Sequence, residues 1–561
     1  MSDRVDGEDQ QVLASSALMA AGTVVSRLSG FVRSFLLAAA LGNMLHADLF
    51  TIGNTIPNML YILLAGGVFN AVLVPQLVRA MKHDPDGGEA YTNRVITLAA
   101  LFLAAVSVAL VLAAPQVMSL YLDSSFSCAN LADQRESVID FARYCLPQVF
   151  FYGMFVLVGQ ILNSRGRFGP MMWAPIANNV ISVAVLAIYL LAFGPVPQTQ
   201  LSSAYSSHQE LLLGLGSTLG IAAQLFILVP YLRKAGFTFR PRFDFRNSGL
   251  GHTLRLGIWT VLFVVVNQVA YTVVVKLASG GTSAGGCGPH PATEGTGYTV
   301  YSSTFLIMMV PHSIITVSLA TAILPQLSRR ATDGDLPGLA RSLASTLRTA
   351  LSVVVPFALL LPLIALDLSH VVWGHGAASS NFDLYAPSLA LFGPGLVFFT
   401  VHYLMLRGFY ALERTRTVFW IQCAVAGSNI AAALLLVART DPRHTSPALV
   451  VAYTVSYVVG SLISYAVLRR LLGGLRTPEL VRFVVRLGIA ALVSSAVALV
   501  VAWLLHGLAE DPYWVLAALR ALVVTVVDVA VFVVMARVLR LTEVTSVIDT
   551  VTRRFPSARK S

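Results

Sequence analysis

Charge is what this 561-residue chain has least of. Asp, Glu, Lys and Arg make up 12% of it and hydrophobic residues 56%, whereas about a quarter of an average soluble domain is charged. Little length is left for a water-soluble domain once the apolar stretches and their short connections are subtracted. Lysine is nearly missing: Lys82, Lys234, Lys276 and Lys560 are the only ones among 38 basic residues, a bias that reads as codon usage in a GC-rich genome. Cysteine is scarce too. Cys128, Cys145, Cys287 and Cys423 show no CxxC spacing, which argues against a metal cluster or a disulfide framework. A single bridge between Cys128 and Cys287 stays open, because both fall in loops read as external. No Ser/His/Asp set, HExxH, Walker A or carboxylate pair stands at a useful spacing, so an enzyme is disfavoured. No cleavable leader is expected either, since residues 1–11 are acidic and polar and the first apolar run is too long for an h-region.

What fills the chain is apolar runs of membrane-spanning length. Fourteen are expected, at 12–41, 49–80, 93–114, 138–163, 170–193, 211–232, 250–278, 298–326, 343–366, 385–410, 417–438, 447–471, 481–506 and 514–539. The net charge of +11 does not point to nucleic acid, because the arginines alternate between loops instead of clustering on one face or tail. Base gathers after every second segment, as in Arg165/Arg167, Arg329/Arg330 and Arg469/Arg470. The loops around 194–210, 279–297, 367–384 and 507–513 hold no Lys or Arg. Arg135 and the pair Arg439/Arg443 are the exceptions. The alternation never inverts, which predicts an even number of spans with both termini cytoplasmic.

The chain also repeats itself. Pro75-Gln76-Leu77-Val78-Arg79 closes the second segment and Pro325-Gln326-Leu327-Ser328-Arg329 the eighth, 250 residues later. Arg165-Gly166-Arg167 and Arg414-Thr415-Arg416 keep almost the same offset, 249. Six segments separate the copies, so both halves begin on the same side. That arrangement implies two parallel bundles around a central cavity, a transporter signature. The predicted organisation is a tail (1–11), a first six-helix lobe (12–232), a linker (233–249), a second lobe (250–471), two further helices (472–540) and a basic tail (541–561).

Polar chemistry inside the apolar runs is sparse. The first segment carries Ser26-Arg27-Leu28-Ser29-Gly30-Phe31-Val32-Arg33. A guanidinium at membrane depth costs about 2.5–3.5 kcal/mol even on the most lenient insertion scale. Arg27 and Arg33 fit either an intramembrane anion site on one cavity wall or snorkelling and interhelical pairing. His46 and Asp48 follow in the first outside turn. Asn54, Pro57-Asn58 and Asn70 lie along the second segment, where substrate contact and helix–helix hydrogen bonding are equal readings of Asn58 and Asn70. Lys276, the only intramembrane lysine, lies near the outer end of the seventh. Pro311-His312 sits mid-span in the eighth; His312 is a packing histidine or a protonation site. Asp528 is the deepest carboxylate, with Arg520 eight residues earlier as at most a loose partner on the same face.

These residues resemble the MurJ/MviN family, lipid II flippases of the multidrug/oligosaccharidyl-lipid/polysaccharide exporter superfamily. The likeness rests on Ser26-Arg27, Gly30-Phe31-Val32-Arg33, Ala47-Asp48-Leu49-Phe50, Pro57-Asn58 and the stretch from Phe69 to Pro75. It continues through Leu162-Asn163-Ser164, Arg167-Phe168, Ala174-Pro175, Ile323-Leu324-Pro325 and Gly408-Phe409-Tyr410 with Thr415-Arg416-Thr417. It implies an all-α polytopic fold of about fourteen helices: two six-helix lobes, as in MATE transporters, around a V-shaped cavity, and two C-terminal helices forming a groove for the lipid tail. It also implies cavity arginines at Arg27 and Arg33 for the substrate pyrophosphate, and an acidic position at Asp48. The chain departs from better-known members at Tyr61 and Ile62 (basic there), Gly66 (glutamate) and Leu306–Met309 (an arginine before the proline).

The expected function is therefore translocation of lipid II from the cytoplasmic to the outer leaflet of the cell membrane by alternating access. Other polyprenyl-pyrophosphate-linked glycans are the alternative cargo, and a drug/cation antiporter of the same fold is the alternative class. Candidate substrate contacts are Ser26, Arg27, Arg33, Asp48, Asn58, Asn70 and Lys276. Membrane lipids are expected partners and nucleic acid is not. No cofactor or metal is implied, and a coupling ion or the membrane potential stays open as the energy source.

Overall fold

The computed structural model describes residues 22, 25–26, 28–63, 86, 88–167, 169–244, 250–287, 295–507 and 513–545, with backbone alone at 250–257. These residues are helical apart from turns and connecting loops, and no strand occurs among them. Twelve of the helices are long and apolar enough to cross a membrane, from Glu89–Leu112 to Trp514–Val538. Two shorter helices precede them: the apolar α1 (Leu28–Leu41) and α2 (Leu45–Tyr61). These two belong to the first two predicted segments, whose remaining residues fall largely outside the described ones.

The chain divides into two compact units, Met1–Thr299 with Gly376–Ala378, and Val300–His375 with Ser379–Ser561. In the first, α1 and α2 are followed by α3 (Glu89–Leu112), the short α4 (Ala114–Tyr121), α5 (Ala132–Cys145), α6 (Gln148–Ser164), α7 (Gly169–Phe193), α8 (Ser207–Lys234) and α9 (Leu250–Ser283). In one of its apolar clusters Val95 and Leu103 of α3, Leu157 and Ile161 of α6, and Leu228 of α8 pack together with Phe155 and Phe237. Glycines allow the closest approaches. A Cβ on Gly153 would stand 2.5 Å from Leu103, so α6 meets α3 only because that position is bare.

The α1–α2 corner is made by Gly42, whose φ of +78° lies in the left-handed region that L side chains avoid. The 194–206 loop braces this corner. His46 stacks on Tyr205 with ring centroids 3.6 Å apart, its Nδ1 lies 2.8 Å from the Ser203 carbonyl, and the Tyr205 hydroxyl donates to the His46 carbonyl. At the opposite, base-rich side, the Arg240 and Arg242 amides donate to Asn93 and Thr97 of α3. There Arg94 pairs with Asp244, and this contact holds the Asp244 carboxyl below the usual carboxylate range.

The second unit contains α10 (Tyr298–Pro311, which begins in the first unit), a π-helical turn at His312–Thr316, and α11 (Val317–Thr332). It continues with α12 (Leu336–Trp373), α13 (Tyr385–Ala411), α14 (Thr415–Val437), α15 (Thr445–Leu471), α16 (Thr477–His506) and α17 (Trp514–Val538). The 38-residue α12 is its spine: α16 and α17 pack on it through Leu360, Ile364, Ala498, Ala502 and Val524. Arg520 does not rely on Asp528. It crosses from α17 to pair with Asp367 of α12 at 2.5 Å, both side chains being almost fully buried. Asp528 is buried separately and accepts from Ser495 of α16 at 3.5 Å.

Candidate functional site

Asp48 shows how the base-poor end of the first unit is held. Its carboxylate is fully buried and accepts from the Thr282 hydroxyl (2.6 Å), the Thr299 amide (2.7 Å) and the Tyr298 amide (3.1 Å). Tyr298 and Thr299 open α10, so their N–H groups are among those a helix cannot satisfy internally. An acid of α2 thus caps α10 from outside it, where the helix dipole also favours negative charge. The end of α9 is tied down nearby. Cys128 and Cys287 form a disulfide with Cα atoms 5.4 Å apart, Ser125 and Ser283 share a hydrogen bond of 2.6 Å, and the Asp123 amide donates to the Ser279 hydroxyl. The bridge left open by the sequence is therefore present.

Deeper in the same unit, half-buried Arg33 of α1 lies close enough to the Tyr152 phenol of α6 to interact electrostatically. Tyr152 in turn stacks on Tyr61 of α2 at 4.7 Å. Arg33 has no ion-pair partner among the described residues, so its guanidinium stands near the Tyr152 phenol without a counter-charge among them. Gln148 donates to Asn54 at 3.0 Å, joining α6 to α2 around the same wall. Asn179 of α7 donates to the Ser26 carbonyl (2.9 Å) and the Ser29 hydroxyl (2.8 Å), which fixes the inner part of the first helix.

The second unit has a polar cluster of its own. The π turn after Pro311 is a local irregularity of a type often found at functional positions. It leaves buried His312 packed between Phe399 (4.5 Å) and Tyr403 (4.9 Å) of α13. His312 Nδ1 has no hydrogen-bond partner among the described residues. Arg407 lies near enough to act on this histidine electrostatically, and its guanidinium sits 4.4 Å from the Tyr403 ring. Its Nε is buried without an acceptor among the described residues.

Of the sequence-derived candidates, Arg33 and Asp48 are placed as described, Ser26 receives Asn179, and Asn58 is half-buried on α2. Arg27 and Asn70 lie outside the described residues. Lys276 is exposed and lines a cavity at the base-poor end whose lining does not include Arg33. Arg407, Tyr152 and Asn179 are absent from the sequence-derived set. Arg407 carried the same signal as Arg33, an arginine within an apolar run. Tyr152 and Asn179 carried none, because their roles arise only from neighbours on other helices. Among the described residues no group of three His, Cys, Asp or Glu side chains is placed to hold a metal ion.

The family model described as "Lipid II flippase MurJ" matches residues 37–524. The chain is 26% identical over 416 residues to the probable lipid II flippase MurJ of Rhizobium tropici, covering 74% of this chain and 73% of that one. Among solved structures it is similar to a lipid II flippase MurJ in an inward closed conformation, with a TM-score of 0.69 at 16% identity over 93% of this chain and 98% of that one. An inward-facing MATE-family multidrug resistance transporter of the MOP superfamily aligns with a TM-score of 0.59 at 15% identity, over 80% and 95% of the two chains.

Proposed function

Because the chain belongs to the MurJ lipid II flippase family, we propose that it carries lipid II from the cytoplasmic to the outer leaflet of the cytoplasmic membrane by alternating access. The observation that carries the reading is Arg33: a guanidinium within an apolar helix, free of any ion pair among the described residues and set beside the stacked Tyr61–Tyr152 pair. A pyrophosphate head group is the natural counter-charge, and Arg27, six residues earlier in the sequence, is a second cation in the same apolar run. Ser26, Asn58 and, in the sequence of the second apolar run, Asn70 are neutral groups able to hydrogen-bond the same head group. The exposed apolar side chains of α16 and α17, such as Val485, Leu492, Leu522 and Val526, suit a polyprenyl tail. The antiporter alternative wants a free carboxylate for its cation, and Asp48 is already engaged by three donors. The charge pattern of the loops supports cytoplasmic termini.

The test is complementation of a strain depleted of its lipid II flippase. Wild type should restore growth and shape. Arg27→Ala and Arg33→Ala should each fail while reaching normal membrane levels, and Arg33→Lys should rescue only in part because it lacks the bidentate fork. Rescue by both alanine variants would remove the pyrophosphate assignment. Failure of wild type with transport of another polyprenyl-pyrophosphate glycan would change the cargo and keep the mechanism.

A further inference from the structure

The base-poor side of this protein keeps few cations, and most are neutralised or isolated. Arg143 pairs with Asp140, Arg443 with Asp383 and Arg520 with Asp367, while Arg439 stands on an exposed turn. The remaining two, Arg135 before the fourth predicted segment and Lys276 on α9, are far apart in sequence yet line one cavity of about 530 Å³ in the first unit. That volume falls within the range of sites for small ligands, about 300–1,000 Å³. Neither cation has an ion pair among the described residues. The cavity's acid, Asp123, has one carboxylate oxygen held by the Ser125 amide at 2.9 Å. Ser119, Ser124 and Ser127 add hydroxyls, while Met118, Leu122 and Phe126 form apolar walls.

The position adds a second argument. The cavity lies beside α4, the eight-residue helix that follows the break at Ala113, and α4 packs on α9. Leu120 of α4 is 60% exposed and Leu112, at the end of α3, 78%, the pattern of a segment resting against acyl chains. The Cys128–Cys287 bridge staples the loop that lines the cavity to the chain that follows α9.

We propose that Lys276 and Arg135 form a binding site for the phosphate of an anionic lipid head group at the outer leaflet. The site is separate from the Arg33 wall and takes a ligand other than the one in transit. It rests on the orientation given under the proposed function but needs no transport. Its failure and the failure of the flippase reading are therefore distinguishable.

The experiment is native mass spectrometry of the full protein extracted from bilayers of phosphatidylglycerol and phosphatidylcholine. Wild type should retain one phosphatidylglycerol that the Arg135→Gln/Lys276→Gln double variant loses. Each single substitution should weaken retention roughly tenfold, the effect of one charge-assisted hydrogen bond. Lys276→Arg should keep the lipid, which guards against a folding defect, and Arg439→Gln should change nothing. The same count of retained lipid in wild type and double variant would overturn the proposal. A difference that appears only with inorganic phosphate, and not with phosphatidylglycerol, would assign the pocket to a soluble anion and overturn the lipid assignment.

Discussion

Asp48 acts on α10 as an N-cap side chain acts on its own helix, but from a different helix and with a full charge. Three donors converge on it where no water reaches. Removing an acceptor under those conditions leaves each donor with its desolvation cost, about 1–3 kcal/mol for a buried group. Asp48→Ala should therefore lower the thermal midpoint in detergent clearly, by an amount equivalent to about 2–4 kcal/mol. Asp48→Asn keeps one acceptor oxygen and should fall between Ala and wild type. Equal midpoints for all three proteins would mean that the cap contributes nothing to the folded state. Arg33 is the converse case, since no carboxylate answers it within the described residues. One residue thus supports a local fold, and the other leaves a charge for something that arrives.

At the scale of elements, the disulfide and the hydroxyl bonds make the end of α9 continuous with the 121–128 loop. The bridge closes a sequence separation of 159 residues, so it restrains that end of the helix far beyond what local sequence would do. Alkylation of denatured protein should add two labels without reductant, at Cys145 and Cys423, and four with it. Treating whole cells with a membrane-impermeant reductant before alkylation should also give four, since the bridge lies on the side read as external. Two labels after that treatment would reverse the assigned orientation. Much of this level is legible in sequence. The length and polarity of the apolar runs mark the helices, and the alternation of arginine between loops marks their sides. Gly42 follows directly on the first apolar run, and Pro311 stands mid-span in the eighth, where the structure has a π turn. Pairings across the fold are not legible in the same way. Arg520 finds Asp367, 153 positions away, instead of the carboxylate on its own helix, because side-chain reach between packed helices is a tertiary quantity. Asp48 is visible as an acid, but its partner Thr299 is 251 residues distant.

For the whole molecule, alternating access requires two arrangements of similar free energy, and cargo shifts their balance only by binding one better than the other. The bridge limits what those arrangements can be. If the side proposed to be external is an oxidising face, the bridge persists through every cycle, and neither Cys128 and Cys287 nor the ends of the elements they staple then part. Opening towards that side has to proceed by bending within α9 or by movement beyond residue 287, with the end of α9 staying attached to the 121–128 loop. Transport in vesicles should then be indifferent to a membrane-impermeant reductant, changing by no more than about twofold, a difference of only ~0.4 kcal/mol in barrier height. The Cys128→Ser/Cys287→Ser variant should behave likewise, while amide exchange in 121–128 and 279–287 should rise as the staple is lost. Strong acceleration by reductant would show that the bridge holds the cycle back. The end of α9 would then have to leave its loop in each turnover, and the disulfide would be a brake instead of a fixed part of the frame.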